Sequence, residues 1–324
     1  MARAEQQADR APAKTPRRRR TRGRMIDGIL LLDKPVGMTS NRALQTAKRL
    51  FDANKAGHTG SLDPLASGML PICFGHATKT SSWLLDANKT YEVVAAIGVR
   101  TDTADADGSE IERSSVTEIS ESQLETAIAQ FRGDIMQVPP MYSALKKDGR
   151  RLYELARAGQ EVERAARPVT IHALEIQAFD PAAPCLRVHC SKGTYVRTLV
   201  EDIAAAMGTL GHVQALRRTA VEPFGGQQMV TLEALETLGA DPAARDALLL
   251  PVDAALQAFP AVHLDASAAF YLGNGHPVNA AEVPPEGLVR LYGPGGALLG
   301  IGAVNDAGQV APKRLFPSTP QAAK

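Results

Sequence analysis

The sequence has few cysteines, few aromatic residues and no long hydrophobic run. Three cysteines occur among 324 residues, Cys73, Cys185 and Cys190, and no two of them form a CxxC pair. A disulfide framework and a structural zinc site are therefore not expected, and buried free thiols in a reducing cytoplasm are the preferred interpretation. Apolar runs such as residues 28–32 are far shorter than the roughly 20 residues of a membrane helix, so we expect a cytoplasmic protein without a membrane span.

A marked excess of charge of one sign is also lacking, since the formal net charge is +1. Residues 1–24 hold nine basic and two acidic residues, and the remaining chain holds 27 basic and 33 acidic residues. Overall charge thus gives no support for nucleic-acid binding, and any such surface must be a local basic patch. We expect residues 1–26 to be a disordered basic tail, acting as a non-specific RNA-binding arm or having no role.

The pattern of apolar residues predicts an α+β protein with two folded parts. Strands are predicted at 28–32, 90–99, 169–179 and 185–190, and helices begin at Thr39-Ser40, at 124 and at 195. Gly and Pro punctuate residues 57–75, which predicts a segment that is largely loop. Short strands at 289–292 and 298–304 indicate a small β-rich part at the C-terminal end.

One loop carries the densest chemical signal. Residues 57–71 are GHTGSLDPLASGMLP, in which Pro64 favours an extended conformation at Asp63. An Asp between Leu62 and Leu65 is either a carboxylate presented to a ligand or, as is commoner for a loop Asp, the cap of a turn. The residues of this loop alone leave both readings open.

The loop and five other segments, in the same order along the chain, resemble motifs of the TruB family of tRNA pseudouridine-55 synthases. The departures are Ser67 and Val196, where Thr and Ile are common. The resemblance covers residues 27–317 and implies a pseudouridine synthase fold: a mixed, mostly antiparallel central sheet with flanking helices, and a small PUA-like β domain. We expect a catalytic domain at 27–250 and a PUA-like RNA-binding domain at 258–318. The companion segments are KPVGMTS at 34–40, KTYE at 89–92, PPMYSALK at 139–146, SKGTYVRTL at 191–199 and LRRT at 216–219.

The resemblance implies that Asp63 is the catalytic carboxylate, assisted by Tyr91 and Arg197. The reaction breaks the C1′–N1 bond of a uridine, rotates the base and rejoins it through C5. Asp63 could act as a nucleophile at C1′ or as a base toward the C2′ proton, and the sequence does not choose between the two routes. A paired Arg197 would hold Asp63 ionised and oriented.

Substrate-binding roles are implied for His58, Tyr91, Tyr195 and Leu216. A stacked uridine must be flipped out of the T loop to reach Asp63, at a cost of a few kcal/mol that backbone contacts have to offset. We expect tRNA as the substrate, no cofactor, no metal, no obligatory protein partner or guide RNA, and a monomer. The candidate phosphate contacts are Lys34, Lys146, Lys147, Arg150, Arg151, Arg157, Lys192, Arg217 and Arg218.

Two other functions stay open at this stage. One is a related synthase that depends on a guide RNA and protein partners. The other is a non-enzymatic RNA-binding protein or tRNA chaperone, which would function without the Asp63 carboxylate. Activity of the purified chain on bare transcript distinguishes the first, and an Asp63→Asn variant distinguishes the second.

Overall fold

The structure, a computed structural model, describes residues 23–239 and 241–316. Within these residues no helix is both long and apolar enough to cross a bilayer. The strands are β1 (Gly28–Lys34), β2 (Ala56–His58), β3 (Ser67–Phe74), β4 (Lys89–Ile97), β5 (Val99–Thr101), β6 (Glu110–Arg113), β7 (Gly133–Gln137), β8 (Lys146–Lys147), β9 (Arg150–Arg151), β10 (Arg167–Ala178), β11 (Cys185–Cys190), β12 (Gly211–Val221), β13 (Val230–Thr231), β14 (Ala261–His263), β15 (Leu288–Tyr292), β16 (Leu298–Val304) and β17 (Val310–Leu315). The α-helices are α1 (Ser40–Leu50), α2 (Ser81–Asp86), α3 (Glu121–Ala129), α4 (Leu152–Arg157), α5 (Val196–Ala206), α6 (Leu232–Thr237), α7 (Pro242–Asp246) and α8 (Ala266–Gly273). Short 3₁₀ helices span Gly75–Lys79, Val252–Leu256 and Pro294–Gly296.

A mixed central sheet organises the larger part of the molecule. Its strand order is β13-β1-β3-β12-β4-β11-β10-β7, and β2 pairs with β3 beside this path. Two pairings are parallel, β1 with β13 and β3 with β12, and the others are antiparallel. The predicted mixed, mostly antiparallel sheet is therefore confirmed.

Strand β12 joins the two halves of this sheet. It pairs with β4 along its whole length, from Gly211 opposite Ile97 to Val221 opposite Lys89. Its ladder with β3 is limited to residues 217–218 opposite 67–68. Among the described residues, the strand pairing between the halves β13-β1-β3 and β4-β11-β10-β7 thus runs through β12.

Helices cover the apolar faces of both halves. Leu199 and Ile203 of α5 and Leu124 of α3 pack against Val93 and Val188 of the sheet, all of them buried. In the other half, α1 and α6 pack on β1 and β3. Thr39 caps α1 by accepting a hydrogen bond from the Arg42 N–H at 3.2 Å, which supplies the N-cap predicted from the sequence.

The C-terminal part is a four-stranded sheet in the order β14-β15-β16-β17, packed with α8 around a separate apolar core. It contacts the larger part through β17. Lys79 Nζ donates to the Leu315 carbonyl at 2.9 Å, and Arg314 donates to the Lys79 carbonyl at 2.7 Å. The Arg314 guanidinium also lies over the Trp83 ring. The predicted small β-rich part is confirmed.

The prediction that residues 57–75 are largely loop is wrong, since most of β2 and all of β3 lie within them. Pro71 is tolerated in β3 because β12 pairs only with 67–68 and β2 only with 72–74, so one side of Pro71 has no ladder to complete. Residues 23–26, assigned to the tail, include an Arg24–Asp246 ion pair and an Arg24–Ala53 bridge. The rest of the predicted tail, residues 1–22, and residues 317–318 of the predicted C-terminal domain lie outside the described residues.

Candidate active site

Asp63 lies in the loop between β2 and β3, where a tight turn frees its side chain. The Asp63 backbone carbonyl closes the turn by accepting from the Ala66 N–H at 3.1 Å. The carboxylate is therefore not used as the cap of this turn. It faces an open pocket, and 46% of the side chain is exposed.

Ser40, the first residue of α1, fixes the residue before Asp63. Its buried hydroxyl accepts from the Leu62 N–H at 2.7 Å and donates to the Leu62 carbonyl at 3.0 Å. Both backbone groups of a residue in an otherwise irregular loop are satisfied by one side chain. These two bonds fix the backbone of the loop beside the Asp63 carboxylate.

Lys34 and Gly37 fix the residue after Asp63. The Pro64 carbonyl accepts from the Gly37 N–H at 2.8 Å and from Lys34 Nζ at 3.4 Å. Lys34 is fully buried, and its ammonium also donates to the carbonyls of Pro35 at 2.8 Å and of Met38 at 2.7 Å. Burial lowers the pKa of Lys34 to about 8, although the Asp63 charge opposes this shift.

Arg218 of β12 holds the loop from the opposite side. Its side chain is buried and donates to the carbonyls of Met69 at 2.7 Å and Gly60 at 3.0 Å. Gly68 allows the backbones of β3 and β12 to approach closely at Arg218. Its φ is +98°, and a Cβ there would lie 2.2 Å from the Arg218 carbonyl oxygen. Only glycine fits the backbone contact between β3 and β12.

Arg197, in the first turn of α5, links the loop to the other half of the sheet. Its Nη2 lies 3.0 Å from an Asp63 carboxylate oxygen and donates to the Tyr142 carbonyl at 2.8 Å. Its Nη1 donates to the Thr103 carbonyl at 2.7 Å. The Asp63 contact therefore uses one nitrogen and is not a bidentate fork, because the other donors are directed elsewhere.

Asp105 is a site residue that the sequence did not reveal. Its carboxylate lies 3.6 Å from Arg197 Nε, and both side chains are 6% exposed. The Thr103 hydroxyl donates to Asp105 at 2.6 Å and the Asp107 N–H at 3.2 Å. Its only sequence signal is a group of three Asp residues within 102–107, directly after β5, and this group matches no motif.

These charges act on Asp63 in opposite directions. Burial raises the pKa of Asp63, the Arg197 guanidinium lowers it, and the Asp105 carboxylate raises it again. Arg197 is therefore the main group that favours the ionised form of Asp63, and the Lys34 ammonium acts in the same direction. Since Arg197 is shared with Asp105, its effect on Asp63 is smaller than that of an exclusive pair.

Tyr195 is the N-cap residue of α5 and is held by a buried glutamine. Gln137 accepts from the Tyr195 N–H at 2.7 Å and donates to the Tyr195 carbonyl at 3.0 Å. This clamp fixes the start of α5, and so it also fixes Arg197 two residues later. Burial raises the pKa of the Tyr195 phenol, which stays protonated at neutral pH.

Asp63, Tyr91, Tyr195, Arg197 and Leu216 surround one pocket of about 280 Å³. Its size lies near the lower limit of ordinary ligand pockets, which suits a single nucleoside. Burial raises the pKa of the Tyr91 phenol too, with the Arg218 guanidinium opposing the shift. Tyr142 also lines this pocket, which thus offers one carboxylate, one guanidinium and three tyrosines beside apolar and hydroxyl side chains.

His58 is the one predicted site residue that does not line this pocket. It lies on β2, and its Nδ1 is buried without a hydrogen-bond partner among the described residues. Burial lowers the pKa of His58, and Arg218 lowers it further, so the ring is neutral at neutral pH. A neutral ring outside the pocket is not placed to exchange a proton with a base bound there.

The nine candidate phosphate contacts separate into three groups. Lys34 and Arg218 are buried and bind backbone carbonyls, so they are not available to a phosphate. Arg217 pairs with Asp33 at 2.7 and 3.0 Å, and Lys192 pairs with Asp86 at 2.9 Å. The exposed remainder lies on the β8–β9 hairpin and α4: Lys146, Lys147, Arg150, Arg151 and Arg157.

Three family descriptions match the chain in succession. Residues 48–196 match "TruB family pseudouridylate synthase (N terminal domain)". Residues 197–257 match "tRNA pseudouridylate synthase B C-terminal domain", and residues 260–316 match "Pseudouridine synthase II TruB, C-terminal".

The chain is 53% identical over 297 residues to tRNA pseudouridine synthase B of Pseudomonas aeruginosa, covering 91% of this chain and 97% of that protein. The chain belongs to the TruB family of pseudouridine synthases. It is therefore an isomerase.

Other comparisons agree with this membership. The chain is 50% identical over 312 residues to tRNA pseudouridine synthase B of Escherichia coli O1:K1, covering 94% of this chain and 99% of that protein. A solved structure of a Cbf5-Nop10-Gar1 complex contains a similar chain, with a TM-score of 0.65, 26% identity, and coverage of 86% and 78%. A chain of an H/ACA RNP bound to a substrate RNA has a TM-score of 0.67 at 23% identity, with coverage of 89% and 84%, and shows the fold alone.

Proposed function

We propose that this enzyme converts uridine 55 in the T loop of tRNA to pseudouridine. The observation that carries the proposal is the Asp63–Arg197 contact of 3.0 Å in a pocket that Tyr91 and Tyr195 complete. The relatives named tRNA pseudouridine synthase B, at 50–53% identity over almost their whole length, support tRNA as the substrate.

Each of these pocket residues has its own role in the proposed reaction. The target uridine is flipped into the pocket, and its base stacks against Tyr91, which is half-buried on β4. Asp63, kept ionised by Arg197, acts at the ribose while the C1′–N1 bond breaks, either at C1′ or at the C2′ proton. The freed uracil rotates within the pocket and rejoins through C5, which then loses its proton.

A single carboxylate suits isomerisation better than hydrolysis. A hydrolytic glycosidase uses a second carboxyl group to activate or deliver water. Asp105 shares Arg197 with Asp63, but it is buried and accepts hydrogen bonds from the Thr103 hydroxyl and the Asp107 N–H. It is thus not free to activate water at the sugar.

Binding energy must offset the cost of flipping. We propose that the exposed cations on the β8–β9 hairpin and α4 contact the phosphates of the stem-loop, so affinity should fall as salt rises. We also propose that the chain acts in the cytoplasm as a monomer without a guide RNA or protein partner.

The test compares Asp63→Asn with Asp86→Asn on a tRNA transcript. Asp86 is an exposed aspartate that pairs with Lys192 outside the pocket. We expect Asp63→Asn to abolish pseudouridine, mapped chemically, while its affinity for the transcript stays close to that of wild type. Asp86→Asn should keep full activity.

Two results would contradict the proposal. Full activity of Asp63→Asn would exclude the carboxylate mechanism, and an inactive wild-type chain on bare transcript would favour a guide-dependent enzyme. A transcript with cytidine at position 55 should receive no pseudouridine, and modification of a different uridine would refute the assigned position alone.

A further inference from the structure

The Ser143 hydroxyl lies in the wall of the Asp63 pocket and has no hydrogen-bond partner. Ser143 lines this pocket, and only 5% of the residue is exposed. Its Oγ is buried and forms no hydrogen bond within the part of the chain that the structure describes. A buried hydroxyl without a partner costs free energy that a methyl group in the same place would not. Such a group in a pocket wall indicates a partner that arrives with the ligand.

The backbone around Ser143 holds this hydroxyl in place. The Ser143 N–H donates to the Met141 carbonyl at 2.9 Å, and the Ser143 carbonyl accepts from the Tyr153 N–H of α4 at 3.1 Å. The carbonyl of the preceding residue, Tyr142, accepts from Arg197 Nη2 at 2.8 Å. The segment that carries the Ser143 hydroxyl therefore also positions the arginine that contacts Asp63.

The neighbouring polar group in the pocket wall is the Tyr195 phenol. Burial raises the pKa of this phenol, and the nearby Ser143 hydroxyl opposes the rise. The two hydroxyl groups nevertheless form no hydrogen bond of normal geometry, since Ser143 Oγ has no partner. The Tyr195 phenol is neutral at neutral pH, so it presents no charge that would need the Ser143 donor.

The proposed reaction creates negative charge on the uracil base. When the C1′–N1 bond breaks, its electron pair stays on N1 and is delocalised over the ring to O2 and O4. This holds whether the Asp63 carboxylate attacks C1′ or removes the C2′ proton. Rotation of the base about the axis through N3 and C6 brings C5 to the place of N1 and exchanges O2 with O4. A donor at one of these oxygen positions therefore meets an oxygen both before and after the rotation.

We propose that the Ser143 hydroxyl donates a hydrogen bond to an exocyclic carbonyl oxygen of the target uracil and stabilises the charge that develops there. This inference rests on the proposed function and adds a catalytic residue to it. Ser143 keeps its proton throughout. The electron pair returns to C1′ through C5, and the C5 proton is then lost. A fixed donor aimed at a developing charge stabilises the transition state more than the bound substrate.

The first test separates activity from stability. Ser143→Ala is compared with Thr209→Val, which removes a buried hydroxyl that lies outside the pocket and donates to the Val116 carbonyl. We expect Ser143→Ala to slow single-turnover pseudouridine formation at saturating RNA about a hundredfold. Its affinity for the transcript should stay unchanged, and its melting temperature should not fall, because the lost hydroxyl had no partner.

Thr209→Val should behave in the opposite way. Its melting temperature should fall, because the Val116 carbonyl loses its donor, while its single-turnover rate should equal that of wild type. A wild-type rate in Ser143→Ala would overturn the proposal. A melting temperature of Ser143→Ala that falls as far as that of Thr209→Val would contradict the unpartnered state of the hydroxyl, on which the proposal depends.

The second test changes the electronic character of the base. Fluorine at C5 withdraws electrons and stabilises the uracil anion, so a 5-fluorouridine target should depend less on a donor at its carbonyl oxygen. The ratio of the wild-type rate to the Ser143→Ala rate should therefore be smaller for loss of 5-fluorouridine than for loss of uridine. Equal ratios for the two RNAs would overturn the proposal, because the hydroxyl would then act on something other than the charge of the base.

The third test addresses the alternative that Ser143 only orients the Tyr195 phenol. In a Tyr195→Phe background, Ser143→Ala should still slow the reaction by a similar factor. No further slowing would assign Ser143 to the phenol and refute its contact with the base. If wild type forms pseudouridine but these ratios fail, only this inference fails, whereas failure of wild type to form pseudouridine in any RNA refutes the proposed function itself.

Discussion

Replacing Ser40 with alanine should impair catalysis without touching any group that contacts the substrate. The Ser40 hydroxyl bonds both the N–H and the carbonyl of Leu62, at 2.7 and 3.0 Å, in a buried setting. Its removal leaves two buried backbone groups without partners, which should lower the free energy of unfolding by about 3 kcal/mol. The carboxylate of Asp63, one residue further, then loses its fixed position. A misplacement of about 1 Å can reduce the rate about a hundredfold.

The neighbouring Thr39 supplies the control. Thr39→Ala removes the N-cap bond from the Arg42 N–H and should cost about 1 kcal/mol of stability, but it leaves both Ser40 bonds to Leu62 in place. Urea unfolding measures the stability of both variants, and single-turnover pseudouridine formation at saturating RNA measures the chemical step. We expect a slow chemical step in Ser40→Ala and a normal one in Thr39→Ala. If Ser40→Ala loses stability but keeps its single-turnover rate, the loop is not positioned in the way described.

Three further predictions concern charge and backbone contacts. Burial and Asp105 both raise the pKa of Asp63, so activity should begin to fall with decreasing pH at a pH above the ordinary carboxyl range. Asp105→Asn should move this acid limb of the pH–rate profile to lower pH. Coincident profiles of the variant and wild type would contradict the coupling. Burial lowers the pKa of Lys34 to about 8 from 10.5, so the unfolded chain binds more protons within that window and folding becomes more favourable as pH rises through it. Wild type should therefore gain roughly 3 kcal/mol over Lys34→Met between pH 8 and 10.5 in urea unfolding, and a constant difference would refute the shift. Gly68→Ala would place a Cβ 2.2 Å from a backbone oxygen and should yield little folded protein, whereas Gly226→Ala, with a φ of +83° and open space around it, should cost only about 1 kcal/mol in thermal unfolding.

Local patterns in the sequence predicted much of the fold. Helix α1 is predicted by the N-cap residue Thr39 and by the helical spacing of Ala43, Leu44 and Ala47. All three of these apolar residues are buried. Strand β3 escaped prediction because Gly68 and Pro71 have the local signature of a loop. Both residues are accommodated by neighbours that are distant in the chain, and strand pairing of this kind leaves no local pattern.

The candidate site shows the same division. The resemblance of ordered motifs selected Asp63, Tyr91 and Arg197, which the structure places around one pocket with Tyr195 and Leu216. The roles of these residues in the reaction stay predictions. Charged residues that hold the loop were harder to assign.

Lys34 and Arg218 are residue types that often contact phosphates, yet each donates to a backbone carbonyl of the distant Asp63 loop, Lys34 to Pro64 and Arg218 to Gly60. Asp105 belongs to the same class, since its partner Arg197 is contributed by a different helix. Burial of a charge by distant carbonyls is a property of the assembled chain, and no local sequence pattern encodes it.

The position of β12 has a consequence for the order in which the enzyme becomes competent during synthesis. Asp63 is carried by one half of the sheet, whereas Tyr91 and Arg197 are carried by the other, and residues 211–221 are the strand between them. When synthesis has reached the end of α5, the chain already contains every residue that lines the Asp63 pocket except Leu216. Those side chains are not held on one continuous sheet until β12 inserts, because β12 pairs with strands of both halves. The Arg218 side chain and the Asp63–Arg197 contact then reinforce this connection. A nascent enzyme of this architecture is thus inactive until its last central strand emerges, and a truncated chain that ends before it would carry the chemistry without the site.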